Sequence, residues 1–422
     1  MDRRVGAPED PLGRLRAVPL RIAFVSLHTS PATQPGSGDA GGLNVVERAT
    51  ADALAELGHT VELVTRRSSP DEPDVVELAP RVLLHHVTAG PQAPLPKSEI
   101  DAFIPEFSDG FGALGPFDVV HSHHWMSGVA ALPHARRWGS PHVQSYHSVA
   151  ALPGSPLAAG EPPESPARVP GERLVAQESQ AVVAISAAEA RTVIERCGAD
   201  PERVCIISPG VDHDLFRPLA ADEQGWPADD HAQWPNGYLL FAARLQPLKG
   251  PDLAIRALAE VAPELRPQLV VAGDVSADFA SYEAKLLALV DELGLASQVS
   301  FIGPQPRPEL ARLMRSARIV LVPSHSETFG LVALEAASSG TPVIASAAGG
   351  LREAVAHGET GQLMDSREPA DWGRAITRLL SEPGLLRRQG TVARVHARRF
   401  AWGWAAARLV ALYEQLLEGE AR

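Results

Sequence analysis

The stretch "RIAFVSLHTSPATQPGSGDAGGLNVV", residues 21–46, decides the fold. It opens on an apolar run of strand length, passes through a loop of Gly, Ser, Thr and Pro, and enters "ERATADALAELG", where apolar residues recur at helical spacing. A loop with almost nothing apolar to bury is not explained by packing, and a ligand is the reason it suggests. Ligands of open parallel sheets sit at the carboxyl ends of the strands, which is where this loop lies. A helix starting near Leu43 would aim its free amides and positive dipole end at the same place. Gly41 and Gly42 carry no Cβ, so an anion such as a diphosphate can approach their backbone. A tight strand-to-helix turn is the other reading of the two glycines. The pattern is not G-x-G-x-x-G, which takes the main support from a dinucleotide-binding dehydrogenase.

Outward from this stretch, short apolar runs alternate with helical patterns along the whole chain. The candidate strands of the first half are "RIAFVS", "TVELVT", "RVLLHHV", "DVVHSH", "PHVQSY", "AVVAIS" and "VCII"; those of the second are "YLLFAAR", "QLVVAG", "VSFIG", "RIVLVP", "TPVIAS" and "GQLM". This is the signature of parallel sheets covered by helices, and 422 residues exceed what one core usually supports. The expected fold class is α/β, with two doubly wound, Rossmann-like domains facing across a cleft. The polar linker "SPGVDHDLFRPLAADEQGWPADD" divides them near residue 215. The expected divisions are a disordered leader over 1–19, an N-terminal Rossmann-like domain over 20–214, a C-terminal Rossmann-like domain over 215–398, and a helix over 399–422 that crosses back to the N-terminal domain.

A net charge of −13 argues against a broad nucleic-acid surface, so an anionic ligand must be held locally. The two cysteines, Cys197 and Cys205, read as core residues in a reducing compartment. No run approaches ~18 apolar residues and the start lacks the apolar centre of a signal peptide, so a cytoplasmic protein without a transmembrane segment is expected.

In the second half, "ARLQPLKG" puts Arg244 and Lys249 just after a strand, where both cations can neutralise a departing diphosphate without a metal; a solvated loop face is the alternative. "PSHSETFGLVALEAASSGTPVIAS" follows, with Glu327 and Glu335. With a helix from about Phe329, Glu327 sits in the preceding loop and Glu335 about two turns inside, so both carboxylates can accept hydroxyls of a sugar and a ribose.

"SETFGLVALEA" resembles the E-x7-E motif of the family 4 glycosyltransferases of the GT-B fold, and "ARLQPLKG" resembles their donor-diphosphate motif. "HTSPATQPGSGDAGGLNVV", "HSHHWMSG" and "SPGVDHDLFRP" are similar to the corresponding stretches of the D-inositol-3-phosphate glycosyltransferases of mycothiol biosynthesis, and the likeness runs from about Arg21 to Leu417. It implies a retaining hexosyltransferase that needs no cofactor and no metal. The expected partners are a nucleotide-sugar donor and a small polar, anionic acceptor, with a homodimer as one oligomeric outcome. On this sequence it implies donor contacts from Gly41, Gly42, Asn44, Arg244, Lys249, Gln305, Glu327, Phe329, Gly330, Leu331 and Glu335. Glu335 would take the ribose and Glu327 the transferred sugar. His147, in "QSYHS", matches the family's active-site histidine, which makes His147, Glu327, Arg244 and Lys249 the catalytic set. Lys97, His124, Ser148 and Arg168 would grip the acceptor's anion.

Departures from the family bear on substrate. His124 stands where Tyr is expected, Ser148 where Thr is, and Gln305 where Arg is, with Arg307 displaced by two. A zinc site among His121, His123 and His124 is tempting, but no further Cys or carboxylate stands at ligand spacing. Two other readings stay open. One is a secondary-metabolite transferase using a UDP- or GDP-sugar and a non-inositol acceptor such as a carboxylate-bearing thiol. The other is a nucleotide-sugar epimerase or sugar phosphorylase built on two similar domains.

Overall fold

The structure is a computed structural model that describes residues 18–35, 40–151, 165–220, 222–223, 225, 234–275, 279 and 281–420. Most of the expected leader, the proline-rich stretch 152–164 and part of the linker lie outside the described residues.

Among the described residues the N-terminal sheet has eight strands: β1 (Arg21–Ser26), β2 (Thr60–Arg66), β3 (Val75–Ala79), β4 (Val82–Val87), β5 (Val119–His123), β6 (His142–Ser145), β7 (Ala181–Ala184) and β8 (Val204–Ile206). Their order is β3-β4-β2-β1-β5-β6-β7-β8. All pairings are parallel except that of β3 with β4. The C-terminal sheet is wholly parallel, with β9 (Tyr238–Ala242), β10 (Gln268–Ala272), β11 (Val299–Gly303), β12 (Ile319–Val322), β13 (Val343–Ser346) and β14 (Gly361–Met364) in the order β11-β10-β9-β12-β13-β14.

Central strands β9 and β12 are continuous apolar runs and β1 nearly so, because helices cover both faces; β5, with His121 and His123, is as fully buried. The strand missing from the sequence reading is β3: it is a five-residue edge strand, VVELA, none of whose residues is fully buried, so it lacks the buried apolar run that marks the central strands.

The chain leaves the N-terminal core at Ile207 and enters the C-terminal core at Val211 and Phe216. The last helix, Trp402–Glu420, sets Ala406, Leu409, Val410 and Tyr413 into the N-terminal core beside Ile22 and Phe24. Tyr413 also hydrogen-bonds His121 of β5, Oη to Nδ1 at 2.6 Å. Between domains, the Ala187 amide donates to Glu353 Oε1 at 2.8 Å, and Ile185 packs into the C-terminal core.

One helix start is corrected. The helix after β12 runs Leu331–Ser338, because Gly330 takes a left-handed conformation (φ 102°) that cannot extend it back to Phe329. Glu335 therefore stands about one turn inside the helix.

Candidate active site

A cleft of about 300 Å³ opens between the carboxyl edges of the two sheets, at the lower end of the size that small ligands occupy. Its floor on the N-terminal side is the loop after β1. Asn44 holds that loop: its Oδ1 accepts from the Gly41 amide at 2.9 Å, and its Nδ2 donates to Thr29 Oγ1 and to the Ser30 carbonyl, both at 2.8 Å. The side chain is 1% exposed and does not line the cleft, so Asn44 shapes the loop and does not face a donor directly. The helix Gly42–Glu56 begins at the cleft, and its two glycines look across to the other domain. A Cβ on Gly41 would lie 3.7 Å from Arg244 Nε, and one on Gly42 3.4 Å from Leu331 Cδ1. Backbone amides, a guanidinium and a second helix start thus converge on one place where an anion can bind.

On the C-terminal side, Arg244 follows β9 and Lys249 ends the turn Pro247–Lys249. Lys249 Nζ is 2.8 Å from Glu327 Oε1, which also accepts from Ser324 Oγ at 2.8 Å. The lysine expected to meet phosphate is thereby tied to the carboxylate expected to meet sugar. Glu335 is buried and pairs with Arg307, Nη1 to Oε1 at 2.7 Å, while the same guanidinium lies 4.8 Å above the Phe216 ring. Gln305 lines the cleft, but its Nε2 donates to the carbonyl of Ile302 at 2.7 Å. The cation beside Glu335 therefore comes from Arg307, two positions along. Phe329 packs its ring into the C-terminal core, against Phe400, so only its backbone is available to a ligand.

The residues expected on the acceptor side gather near the ends of β5 and β6. His147 has a left-handed backbone (φ 59°), held by a hydrogen bond from Thr328 Oγ1 of the other domain to its carbonyl at 2.7 Å. Burial lowers its pKa to about 3, so the ring is neutral at neutral pH. His124 is likewise left-handed (φ 70°) and buried, and neither ring nitrogen has a hydrogen-bond partner among the described residues. Strained, unpartnered polar groups of this kind gather where ligands bind. Its ring lies over His28 at 4.3 Å. Burial first, then the charge of Lys97, depresses the pKa of both, with Arg168 adding to it.

Lys97 and Ser148 line the cleft; Arg168 stands behind, donating from Nη2 to Ser148 Oγ at 3.1 Å and from Nε to Glu172 Oε1 at 2.9 Å. Arg168 and Glu172 are both nearly buried, so removing the arginine would strand a carboxylate. The sequence reading did not assign roles to His28, Thr328 or Arg307. The position of His28 directly after β1, at the ligand edge of the sheet, was the one available signal for it.

Residues 41–210 match the family described as "Glycosyl transferase 4-like domain" and residues 230–396 match "Glycosyl transferases group 1". The D-inositol 3-phosphate glycosyltransferase of Thermobispora bispora is 43% identical over 94% of this chain and 95% of its own length. That of Stackebrandtia nassauensis is 41% identical over 96% and 93%. The chain belongs to the family 4 glycosyltransferases of the GT-B fold. Among solved structures, this glycosyltransferase superposes on sucrose-phosphate synthase from Thermosynechococcus elongatus with a TM-score of 0.85 at 29% identity, covering 95% of this chain and all 100% of that one. It superposes on Anabaena HepE in complex with UDP and glucose with a TM-score of 0.75 at 20% identity, covering 94% and 100%, which shows the shared fold. In this glycosyltransferase the two matched family regions coincide with the two walls of the cleft. Among its described residues no helix is long and apolar enough to cross a membrane, and no group of three or more His, Cys, Asp or Glu is placed to hold a metal ion.

Proposed function

We propose that this glycosyltransferase moves a sugar from a nucleoside-diphosphate sugar to a hydroxyl of a small phosphorylated polyol of the inositol phosphate type, with retention of configuration and without a metal. The observation that carries the reading is the convergence of Gly41, Gly42, Arg244 and the start of helix Leu331–Ser338 on one point of the cleft. That point suits the diphosphate, and its charge develops on departure where preorganised cations and amides already stand. Glu335, steadied by Arg307, accepts the ribose hydroxyls; Glu327 accepts hydroxyls of the sugar, and Lys249 is shared between it and the phosphate. His147 lies on the sugar's other side.

Retention follows if the acceptor attacks from the face the diphosphate leaves, its proton passing to a phosphate oxygen of the donor. The neutral, buried His147 suits this course, since a ring that protonates only near pH 3 is a poor base. The anionic acceptor is supported by Lys97 at the cleft wall with Arg168 behind Ser148, and by relatives that carry D-inositol 3-phosphate in their names.

Release of nucleoside diphosphate from UDP- and GDP-sugars, with D-inositol 3-phosphate or unphosphorylated inositol present, tests the reading. Release that requires the phosphorylated acceptor and survives EDTA is expected. Equal release with unphosphorylated inositol would remove the anion clamp, and loss on chelation restored by added metal would remove the metal-free chemistry.

A further inference from the structure

Glu47 sits on the helix that begins at the cleft, yet its side chain turns inward. It is wholly buried, and neither carboxyl oxygen has a hydrogen-bond partner among the described residues. Burial pushes its pKa well above the carboxylate range, with the Ser26 hydroxyl the neighbour that draws it back. The titratable group it faces is His123, whose Nδ1 is 3.9 Å from Glu47 Oε1. The same Nδ1 is 2.8 Å from His147 Nε2. His123 also stacks on His121 at 4.6 Å, and its Nε2 is buried without a partner. Burial lowers the pKa of His123 as it does that of His147, so both rings are neutral.

Two neutral imidazoles at this distance share one proton, which leaves two arrangements. In the first, His147 donates from Nε2 and presents a bare Nδ1 to the cleft. His123 then carries its own proton on Nε2, a donor buried with nothing to accept it, and the Glu47 oxygen faces the Nδ1 lone pair. In the second, His123 donates from Nδ1, and His147 carries its proton on Nδ1, the nitrogen left for the cleft. This arrangement aims the His123 N–H at His147 Nε2 and sets its polarised Nδ1–H end, and not a lone pair, 3.9 Å from the Glu47 oxygen; it leaves at His123 Nε2 only an unused acceptor, which proteins bury more readily than an unused donor. We propose that Glu47 and His123 are positioning residues that hold His147 as the Nδ1–H tautomer, so that His147 offers the transferred sugar a hydrogen-bond donor and not a base. The consequence for the sugar rests on the function proposed above; the tautomer does not.

The test is ¹⁵N NMR of the full chain labelled at histidine, with His147→Gln used to assign the His147 signals. Protonated and bare ring nitrogens are distinguished directly by their shifts. The wild-type protein is expected to show His147 protonated at Nδ1 and bare at Nε2. Glu47→Gln, which keeps an oxygen opposite His123, should preserve that state, and Glu47→Leu should reverse or mix it. Kinetically, Glu47→Leu should lower kcat about tenfold, the equivalent of one neutral hydrogen bond, with both KM values nearly unchanged and Glu47→Gln restoring most of the loss. A wild-type His147 protonated at Nε2 overturns the proposal, as does a tautomer or a kcat indifferent to Glu47→Leu. The wild-type spectrum, assigned with His147→Gln, decides the tautomer whether or not Glu47→Leu folds. Failure of the transferase reading would show separately, as absent turnover with the tautomer still in place.

Discussion

Lys249 answers two demands with one charge. Its ammonium is 2.8 Å from Glu327, and it lines the cleft beside the place proposed for the donor diphosphate. Replacing it by Ala removes a preorganised cation and releases the carboxylate that should orient the sugar, so kcat should fall about 100-fold or more. Steady-state kinetics within a factor of about three of wild type would contradict this role. The neighbouring pair of cleft residues separates appearance from geometry. Gln305 occupies the position where the family pattern suggests a cation, but its amide is turned to the Ile302 carbonyl, whereas Arg307 reaches Glu335 at 2.7 Å. Arg307→Ala should raise the donor KM roughly tenfold, one decade for about 1.4 kcal/mol of lost charge-assisted bonding, and Gln305→Ala should leave it nearly unchanged. The reverse ranking, read from donor titrations at saturating acceptor, would return the role to Gln305.

At the scale of elements, the parts legible in the sequence are those with one dominant cause. The buried parallel strands announce themselves as apolar runs, and the loop after β1 by its lack of anything to bury. Edge strand β3 was not legible, because it is short and none of its residues is fully buried. Nor was the start of helix Leu331–Ser338, which depends on the backbone of Gly330. Motif spacing placed Glu327 and Glu335 at the cleft, but which cation each would meet depends on side-chain reach, which spacing does not encode. Asn44 shows the same limit: its place at the helix start beside the loop was readable, and the three hydrogen bonds that consume its amide were not.

The loop carrying Glu327 is fixed from behind by Gly349, at φ 52°, where a Cβ would come within 2.1 Å of the Glu327 carbonyl oxygen. Gly349→Ala should therefore cost about 1–2 kcal/mol in the left-handed conformation, before the clash is counted. By moving Glu327 it should also lower kcat roughly 10- to 100-fold. Thermal unfolding together with kinetics checks both, and a variant normal in each would show that the loop is not held this way.

In the whole molecule, the two domains meet at the groups proposed as catalytic, since Thr328 beside Glu327 bonds the His147 carbonyl. The N-terminal domain concentrates buried histidines: His28, His121, His123, His124, His142 and His147 all have pKa values lowered first by burial. For each, the unfolded chain binds its proton near 6.5 while the folded chain resists until much lower pH, to about 3 for His142 and His147. Between those values the unfolded state binds more protons, so stability falls as pH falls, by up to about 1.4 kcal/mol per pH unit for each group. Glu47 and Glu189 act in the opposite sense, since burial raises both, Glu189 to about 7, but they are fewer. The urea midpoint should therefore drop between pH 7 and pH 5; a flat or rising midpoint would show that these rings are not buried as neutral groups.

The central claim is transfer across this cleft to a phosphorylated polyol with the anomeric configuration kept. It is tested most directly by ¹H NMR of the product formed from an α-linked nucleoside-diphosphate sugar and D-inositol 3-phosphate. The account predicts a new glycoside whose anomeric coupling is that of the α-linkage, appearing in step with free nucleoside diphosphate. A β-linked product, or nucleoside diphosphate released with no glycoside formed on the inositol, would contradict it.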